Sequence, residues 1–346
     1  GLAPACATPV AQGLKVTTKN ERIVRSRRTA LELLLSNHYA DCLAPCTTGC
    51  PAHVDVQGYI ALANMGEYGK AVDLIRETNP LPGICGRICV RKCEVVCRRC
   101  DIDAPVGINN IKRYVTDMPE AFDHDPVREP SRGKSVGIVG SGPAGLTAAW
   151  FLGRKGYDPV IYEALPGAGG MLRYGIPEYR LPKKILDWEI EGILGLGIEA
   201  TCNVEIGRDF TLDFLRAEGY DAIFIAVGAW RDKGLGLADG ELEGVESGIK
   251  FLEKFQFDDK IELHGHVIVI GGGNTAIDAV RTSLRSGAEK VSIVYRRSRD
   301  EMPANPAEII AAEEENVEFR FLSAPNGIIS ENGKVTGMEV LRMELG

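Results

Sequence analysis

The stretch SVGIVGSGPAG, residues 135–145, decides the fold. Ser135 to Val139 is a short apolar run of strand type, and the glycine spacing that follows opens a helix running to about Arg154. A second strand, Pro159 to Tyr162, ends at Glu163. This strand–turn–helix–strand setting gives the glycines their meaning. Gly140 makes the tight turn, Gly142 lets a pyrophosphate approach the backbone, and Gly145 permits close packing of helix on strand. Pro143 and Ala144 begin the helix, whose N-terminal N–H groups and dipole favour phosphate. Glu163 stands roughly 20 residues on, where a carboxylate holds a ribose hydroxyl and rejects a 2′-phosphate. The first site therefore suits FAD or NAD.

The pattern recurs in HVIVIGGGNTA, residues 266–276. His266 to Ile270 is a strand, and Gly271, Gly273, Asn274, Thr275 and Ala276 lead into a helix to about Arg285; Lys290 to Val294 is the next strand. Alanine is an accepted third position of the fingerprint. This time the strand ends in YRRSR, with Arg296 and Arg297 and no carboxylate at its tip. Guanidinium groups there fit a 2′-phosphate, so NADP is preferred to NAD. A solvated strand end is the plain alternative, and Asp300 and Glu301 keep NAD open. Two such units predict an α/β flavoprotein with two dinucleotide-binding domains.

Ahead of both lies a different chemistry. Eight of the ten cysteines fall at Cys42, Cys46, Cys50, Cys85, Cys89, Cys93, Cys97 and Cys100. Between the two groups, Val56 to Ala63 and Tyr68 to Thr78 carry helical apolar spacing, and Pro51, Pro80, Pro82 and Gly83 punctuate the loops. The expectation is a small α-helical domain that presents two cysteine-rich loops to each other. Eight thiolates suffice for two four-coordinate centres. Spacing alone leaves zinc and iron–sulfur open. Pro51 after Cys50 favours iron–sulfur, and Arg87, Arg91, Lys92, Arg98 and Arg99 would offset thiolate charge.

The bulk numbers set the frame. At 346 residues the chain is long enough for two or three domains, and a net charge of −8 argues against a nucleic-acid footprint. No apolar run approaches the roughly 20 residues that span a bilayer. The N-terminal stretch lacks the basic and apolar regions of a secretion signal. A cytoplasmic chain keeps its thiols reduced, which turns a cysteine cluster toward metal or redox work.

Residues 42–116 resemble the bis-4Fe–4S domain shared by the glutamate synthase small subunit, dihydropyrimidine dehydrogenase and the large subunit of NADH-dependent ferredoxin:NADP oxidoreductase. The resemblance rests on Cys50–Pro51, on Asp55 to Ile60, on NPLPGICGRIC (79–89), on Cys93-Glu-x-x-Cys97, and on PVGINNIKRYV (105–115). It implies that Cys42 and Cys46 join Cys97, and that Cys50 joins Cys89 and Cys93. The front loop has three cysteines where relatives have four, which leaves Cys100 or His38 for the missing ligand. Relatives place Gln or Glu where this chain has Lys112, and an ammonium cannot coordinate iron; Cys85 is the nearest replacement. Downstream, GAGGMLRYGIPEYRLPK (167–183) resembles the flavin-proximal loop of the glutamate synthase small-subunit family, in which Gly170, Met171, Leu172 and Arg173 approach the flavin. A buried strand, Ala222 to Val227, ends at Gly228 like the crossover out of that flavin domain. The match continues through Tyr295 to Ala304.

The N-terminal ACATPVAQGLKVTT and the helix that follows resemble the end of a 2Fe–2S ferredoxin-type domain. Cys6 would be its fourth ligand, with the other three upstream, so the chain is expected to begin mid-domain and to stop before its flavin domain resumes. Val16 to Thr18 reads as a β-like patch, with helix from Asn20. The resulting division is 1–20, a ferredoxin-type remnant; 21–125, two 4Fe–4S clusters; 126–240, the first part of an FAD domain; and 241–346, an NAD(P) domain. The resemblance implies an electron-transfer oxidoreductase that links NAD(P)H, FAD and clusters to ferredoxin or a partner subunit of a larger complex, such as one associated with formate dehydrogenase or hydrogenase. No acid–base pair is required. The alternatives are a glutamate synthase small subunit, a disulfide reductase using Cys97 and Cys100, and a zinc-stabilised interaction domain.

Overall fold

The computed structural model describes residues 2–36, 42–122, 126–231, 234, 236–237, 242–257 and 261–345. His38 lies outside the described residues. Helix α1 (Glu21–Ser36) precedes a helical region of α2 (Pro45–Thr48), α3 (Val56–Asn64), α4 (Tyr68–Arg76), α5 (Pro82–Ile88), α6 (Lys92–Val95) and α7 (Ile108–Asp117). Local chemistry sets several of these starts. Asp55 caps α3 by accepting from Gly58 N at 2.9 Å, and Pro82 opens α5, where a missing N–H costs nothing. The core of this region is Val54, Val56, Tyr59, Val72, Ile75, Ile108 and Val115, and it includes Cys93, with Cys46 and Cys50 packed against it.

Next come β1 (Ser135–Val139), α8 (Pro143–Arg154), β2 (Asp158–Tyr162), α9 (Met171–Tyr174), α10 (Lys183–Leu194), β3 (Glu199–Thr201), α11 (Leu212–Ala217) and β4 (Ala222–Ile225). The four strands form a parallel sheet in the order β3-β2-β1-β4. Chain order reverses at β1, so the turn after it opens into the crevice where such sheets take ligands. The third unit is α12 (Gly248–Phe257), β5 (His266–Ile270), α13 (Asn274–Arg285), β6 (Lys290–Val294), α14 (Pro306–Glu314) and β7 (Glu318–Arg320), followed by the hairpin β8 (Ser323–Glu331) and β9 (Lys334–Arg342). Strands β5-β6-β7 are parallel, and the hairpin is antiparallel.

Two expectations are corrected. Val16 to Thr18 is not strand, because nothing pairs with it among the described residues. Helix α1 forms where expected and buries none of its residues; Leu31, Leu33, Leu34 and Leu35 are exposed. Strand β4 is a sheet edge rather than a buried strand, with Phe224 and Ile225 exposed, because its only partner among the described residues is β1.

The helical region is not a separate bead. Leu81 and Ile84, from the stretch between the cysteine groups, belong to the same core as Ile138, Leu146, Trp150, Leu186 and Ile190 of the first sheet unit. In return Trp188 of α10 packs against the helical core.

Candidate functional site

At the first turn, glycine is demanded by space. Gly140 has φ +102°, and a Cβ there would overlap the carbonyl oxygen of Ala226, at the end of β4. A Cβ on Gly145 would overlap the carbonyl oxygen of Gly140, so the first turn of α8 lies directly on the loop. Gly142 differs: its φ is −64° and nothing lies within 4 Å of its missing Cβ. That open cradle, at the N-terminus of a twelve-residue helix, has room for a phosphate group. Pro143 and Ala144 are exposed on the same rim, and Gly228, φ +71°, follows Ala226 beside it.

Glu163 ends β2 and is buried. One carboxylate oxygen accepts from both Ser141 N (2.8 Å) and Ser141 Oγ–H, and the other accepts from Leu165 N at 2.9 Å. The ribose-binding candidate is thus tied to the turn itself. Ser141 Oγ also accepts from Gly169 N at 3.1 Å, which lays the Gly167–Lys183 loop over the turn. Gly170, φ +53°, passes so close that a Cβ would stand 2.8 Å from Gly142 Cα. Of the four residues expected in this loop, Gly170 borders the cradle and Met171 beside it is half-buried. Leu172 turns into the core, and Arg173 is held by Asp187 and by the Ala168 carbonyl at 2.6 Å.

The second turn repeats the first with one change. Gly271 has φ +134°, and a Cβ on Gly272 would come 2.6 Å from the Tyr295 ring. Gly273 caps α13 with nothing within 4 Å of its missing Cβ, a second open cradle. Ala276 is buried where the first turn needs glycine, since only ordinary contact separates it from Gly271. Thr275 is exposed, and Asn274 Oδ1 accepts from Asn305 N at 2.9 Å, fastening the Glu301–Asn305 segment to the turn. Beyond β6, Arg296 and Arg297 are exposed and make no ion pair among the described residues. Glu301 is engaged locally: its carboxylate accepts from Ser298 Oγ–H (2.6 Å) and Ser298 N (3.0 Å), which holds it below the usual range.

The cysteine loops meet as well. Front-loop α2 sits against α6; a Cβ on Gly49 would stand 2.6 Å from Val96 Cγ2. Cys46 feels the charge of Cys97, and Cys93 feels Cys89 and Cys50. Cys85 neighbours Cys89. Cys42 and Cys100 are exposed, with Cys100 Sγ 3.5 Å from the Glu94 carbonyl oxygen. Burial raises the Cys46 and Cys85 thiols and pushes Cys93 up to about 11. All ten cysteines are free. Among the described residues, no three His, Cys, Asp or Glu side chains stand close enough to hold a single metal ion. The donor set nonetheless suits a thiolate-ligated cluster, because cationic and N–H groups surround it. Lys112 bears on Cys85 and Cys93, Arg99 on Cys97, and Arg91 N donates to Cys89 Sγ at 3.4 Å.

A family model described as dihydropyrimidine dehydrogenase domain II, 4Fe-4S cluster, matches residues 34–123, and one described as pyridine nucleotide-disulphide oxidoreductase matches residues 134–344. The chain belongs to the pyridine nucleotide-disulphide oxidoreductase family. It is 42% identical over 330 residues to the NADP(+)-dependent formate dehydrogenase subunit beta of Moorella thermoacetica, covering 88% of this chain and 46% of that protein. It is 42% identical over 312 residues to the NADPH-Fe(3+) oxidoreductase subunit beta of Geobacter sulfurreducens, with the same coverage of 88% and 46%. Against the small chain of glutamate synthase [NADPH] of Escherichia coli K12 it is 39% identical over 319 residues, covering 87% of this chain and 67% of that protein. The chain thus spans about half the length of the first two of these relatives. A point-mutant structure of FprA from Mycobacterium tuberculosis shares the fold, with TM-score 0.51 and 22% identity over 61% of this chain and 64% of that one. The family's architecture is therefore the observed one: a small α-helical 4Fe–4S-type domain, then two dinucleotide-binding units with parallel sheets. Among the described residues, no helix is long and apolar enough to cross a membrane.

Two clusters of functional interest escaped the sequence reading. Glu189 on α10, fully buried, accepts from Gly83 N (2.6 Å) and Ile84 N (3.0 Å) at the start of α5, clamping the cysteine-bearing helix to the first sheet unit. Arg180, from the loop over the first turn, pairs with Asp278 of α13 at 2.7 Å and with Glu308 of α14 at 3.2 Å. Arg281 continues the network to Glu308 and Glu315, and Tyr179 lies under Arg281 and Arg285. The sequence carried little signal: Asp278 shares its face of α13 with Asn274, Thr275, Arg281 and Thr282, a polar stripe that reads as solvated.

Proposed function

We propose that this chain is the nicotinamide-, flavin- and cluster-binding part of an NADPH-dependent electron-transfer oxidoreductase. FAD at the first cradle would accept hydride from the nicotinamide and pass single electrons to 4Fe–4S clusters. What the protein contributes is placement. Gly140, Gly142, Pro143, Ala144 and Gly145 would hold the FAD pyrophosphate, with Glu163 at the ribose and Gly170, Met171 and Gly228 around the flavin side, while Leu172 and Arg173 support that loop from the core and from Asp187. Gly271, Gly273, Asn274, Thr275 and Ala276 would hold the nicotinamide dinucleotide, and Arg296 and Arg297 its 2′-phosphate. Cys42, Cys46 and Cys97, with Cys100 completing the set, would hold one cluster; Cys50, Cys89 and Cys93 would anchor a second. The domain limits expected at residues 20, 125 and 240 are part of this reading, as is a cytoplasmic, reducing setting.

The observation that carries the proposal is that the cysteine-bearing stretch and the sheet unit that carries the first glycine turn share one core, through Leu81 and Ile84. Electron transfer needs centres held in fixed relative positions, and a shared core supplies that rigidity. Partners would be ferredoxin or another redox subunit, an assembly suggested by relatives that are themselves named as subunits. Residues 1–20, with Cys6, we read as the end of a 2Fe–2S ferredoxin-type segment. The test is anaerobic mixing of flavin-loaded protein with each nucleotide. NADPH should bleach the flavin at least tenfold faster than NADH, and Arg296→Ala with Arg297→Ala should remove the preference. Equal rates in the wild type would defeat the NADP assignment; no bleaching by either would defeat the function.

A further inference from the structure

Helices α5 and α7 cross at Gly86, where a Cβ would stand 2.9 Å from Arg113 Cα. Asn109 of α7 donates from Nδ2 to the Gly86 carbonyl at 2.8 Å and from its backbone N–H to Glu94 at 2.8 Å. These bonds bring Cys85 of α5 and Cys93 of α6 beside Lys112 of α7. Lys112 is only 6% exposed. Its charge bears on Cys85 and on Cys93, and no carboxylate pairs with it among the described residues. The nearby acids are engaged elsewhere: Glu94 by Asn109 and Arg91, Asp117 by Arg87 and Arg113, Glu189 by Gly83 and Ile84. A buried ammonium without a counter-charge is costly, and neutral thiols do not relieve it. An anionic thiolate-ligated centre does. Among the described residues, the Cys85 thiol makes one hydrogen bond, a long one of 3.8 Å to Asn79 Oδ1.

Building on the iron–sulfur reading above, we infer that Cys85 is the fourth thiolate of the cluster anchored by Cys50, Cys89 and Cys93, and that Lys112 is the counter-charge of that cluster rather than its ligand. The experiment compares iron and acid-labile sulfide, low-temperature electron paramagnetic resonance and midpoint potentials in the intact protein and its variants. Cys85→Ala should lose about half of the iron, and Cys85→Ala with Lys112→Glu should regain it, because a carboxylate at that place can coordinate. Lys112→Met should keep all its iron while one centre moves to a lower potential. Full iron and an unchanged spectrum in Cys85→Ala would overturn the ligand assignment, and an unmoved potential in Lys112→Met would overturn the counter-charge. Should Cys85→Ala not fold, Cys85→Ser serves in its place, with an altered spectrum expected and an unchanged one contradictory. Wild-type protein without iron would instead defeat the reading beneath.

Discussion

At the scale of single residues, the two glycine turns separate steric necessity from ligand chemistry. Gly145→Ala drives a methyl group into the Gly140 carbonyl, a backbone clash that cannot be relieved by a rotamer. We expect it to lower stability by about 1–3 kcal/mol or more and to abolish flavin retention, both read by thermal unfolding with and without FAD. Gly273→Ala meets nothing within 4 Å, so the fold should keep its melting temperature while nucleotide affinity falls at least tenfold by titration. A matching loss of melting temperature would contradict the open cradle. These features were legible because they are local: the decisive contact spans Gly140 to Gly145. Glu163 was legible as a carboxylate at a strand tip, but its engagement by Ser141 was not, since a hydroxyl in a glycine turn carries no signal of its own. Asn332-Gly333, with φ +52° and +79° in the β8–β9 turn, was a readable hairpin signal that the sequence reading passed over.

At the scale of elements, Glu189 decides how the cysteine helix α5 sits on α10. Burial pushes its carboxyl up from 4.5 to about 7, against the lowering by two backbone N–H groups and Arg76. A carboxyl raised in the folded state binds protons there that the unfolded chain has released. Its contribution is therefore full below pH 4.5 and is lost as pH rises toward about 7. Glu189→Gln should erase that slope from the difference in stability between variant and wild type. It should also cost about 1–3 kcal/mol below pH 4.5, because an amide cannot serve both N–H donors. Urea unfolding across the window checks both, and an unaltered slope would contradict the assignment. Helix and strand limits were well read where apolar runs and glycine stops agree, as for β1, β5 and α13. The clamp was not, because Glu189 and Gly83 lie 106 positions apart. Strand β4 was misjudged for the opposite reason: its apolar composition suits a buried strand, but burial depends on what pairs beside it.

At the scale of the whole molecule, three units are fastened in series: the cysteine region to the first sheet unit by a shared core and Glu189, and the first to the second dinucleotide unit by Arg180, Asp278 and Glu308. Arg180 and Asp278 are each 5% exposed at the side chain, so removing Asp278 leaves the buried Arg180 guanidinium with Glu308, at 3.2 Å, as its remaining carboxylate partner among the described residues. Asp278→Asn should cost about 1–3 kcal/mol and slow flavin reduction by NADPH while leaving the cluster spectra unchanged. Stopped-flow reduction beside the same variant's iron content separates the two effects, and an unslowed reduction would contradict a coupling role. None of this fastening was visible in sequence, although the order of the units was, because order follows from local motifs while docking is settled by side chains about 100 positions apart. All three scales meet in one proposal, that this chain joins thiolate-ligated clusters to a nicotinamide–flavin unit. Iron, zinc and acid-labile sulfide analysis of the anaerobically purified protein tests it most directly. Two 4Fe–4S centres predict about eight irons and about eight sulfides per chain, without zinc; zinc bound in the absence of sulfide would contradict the claim.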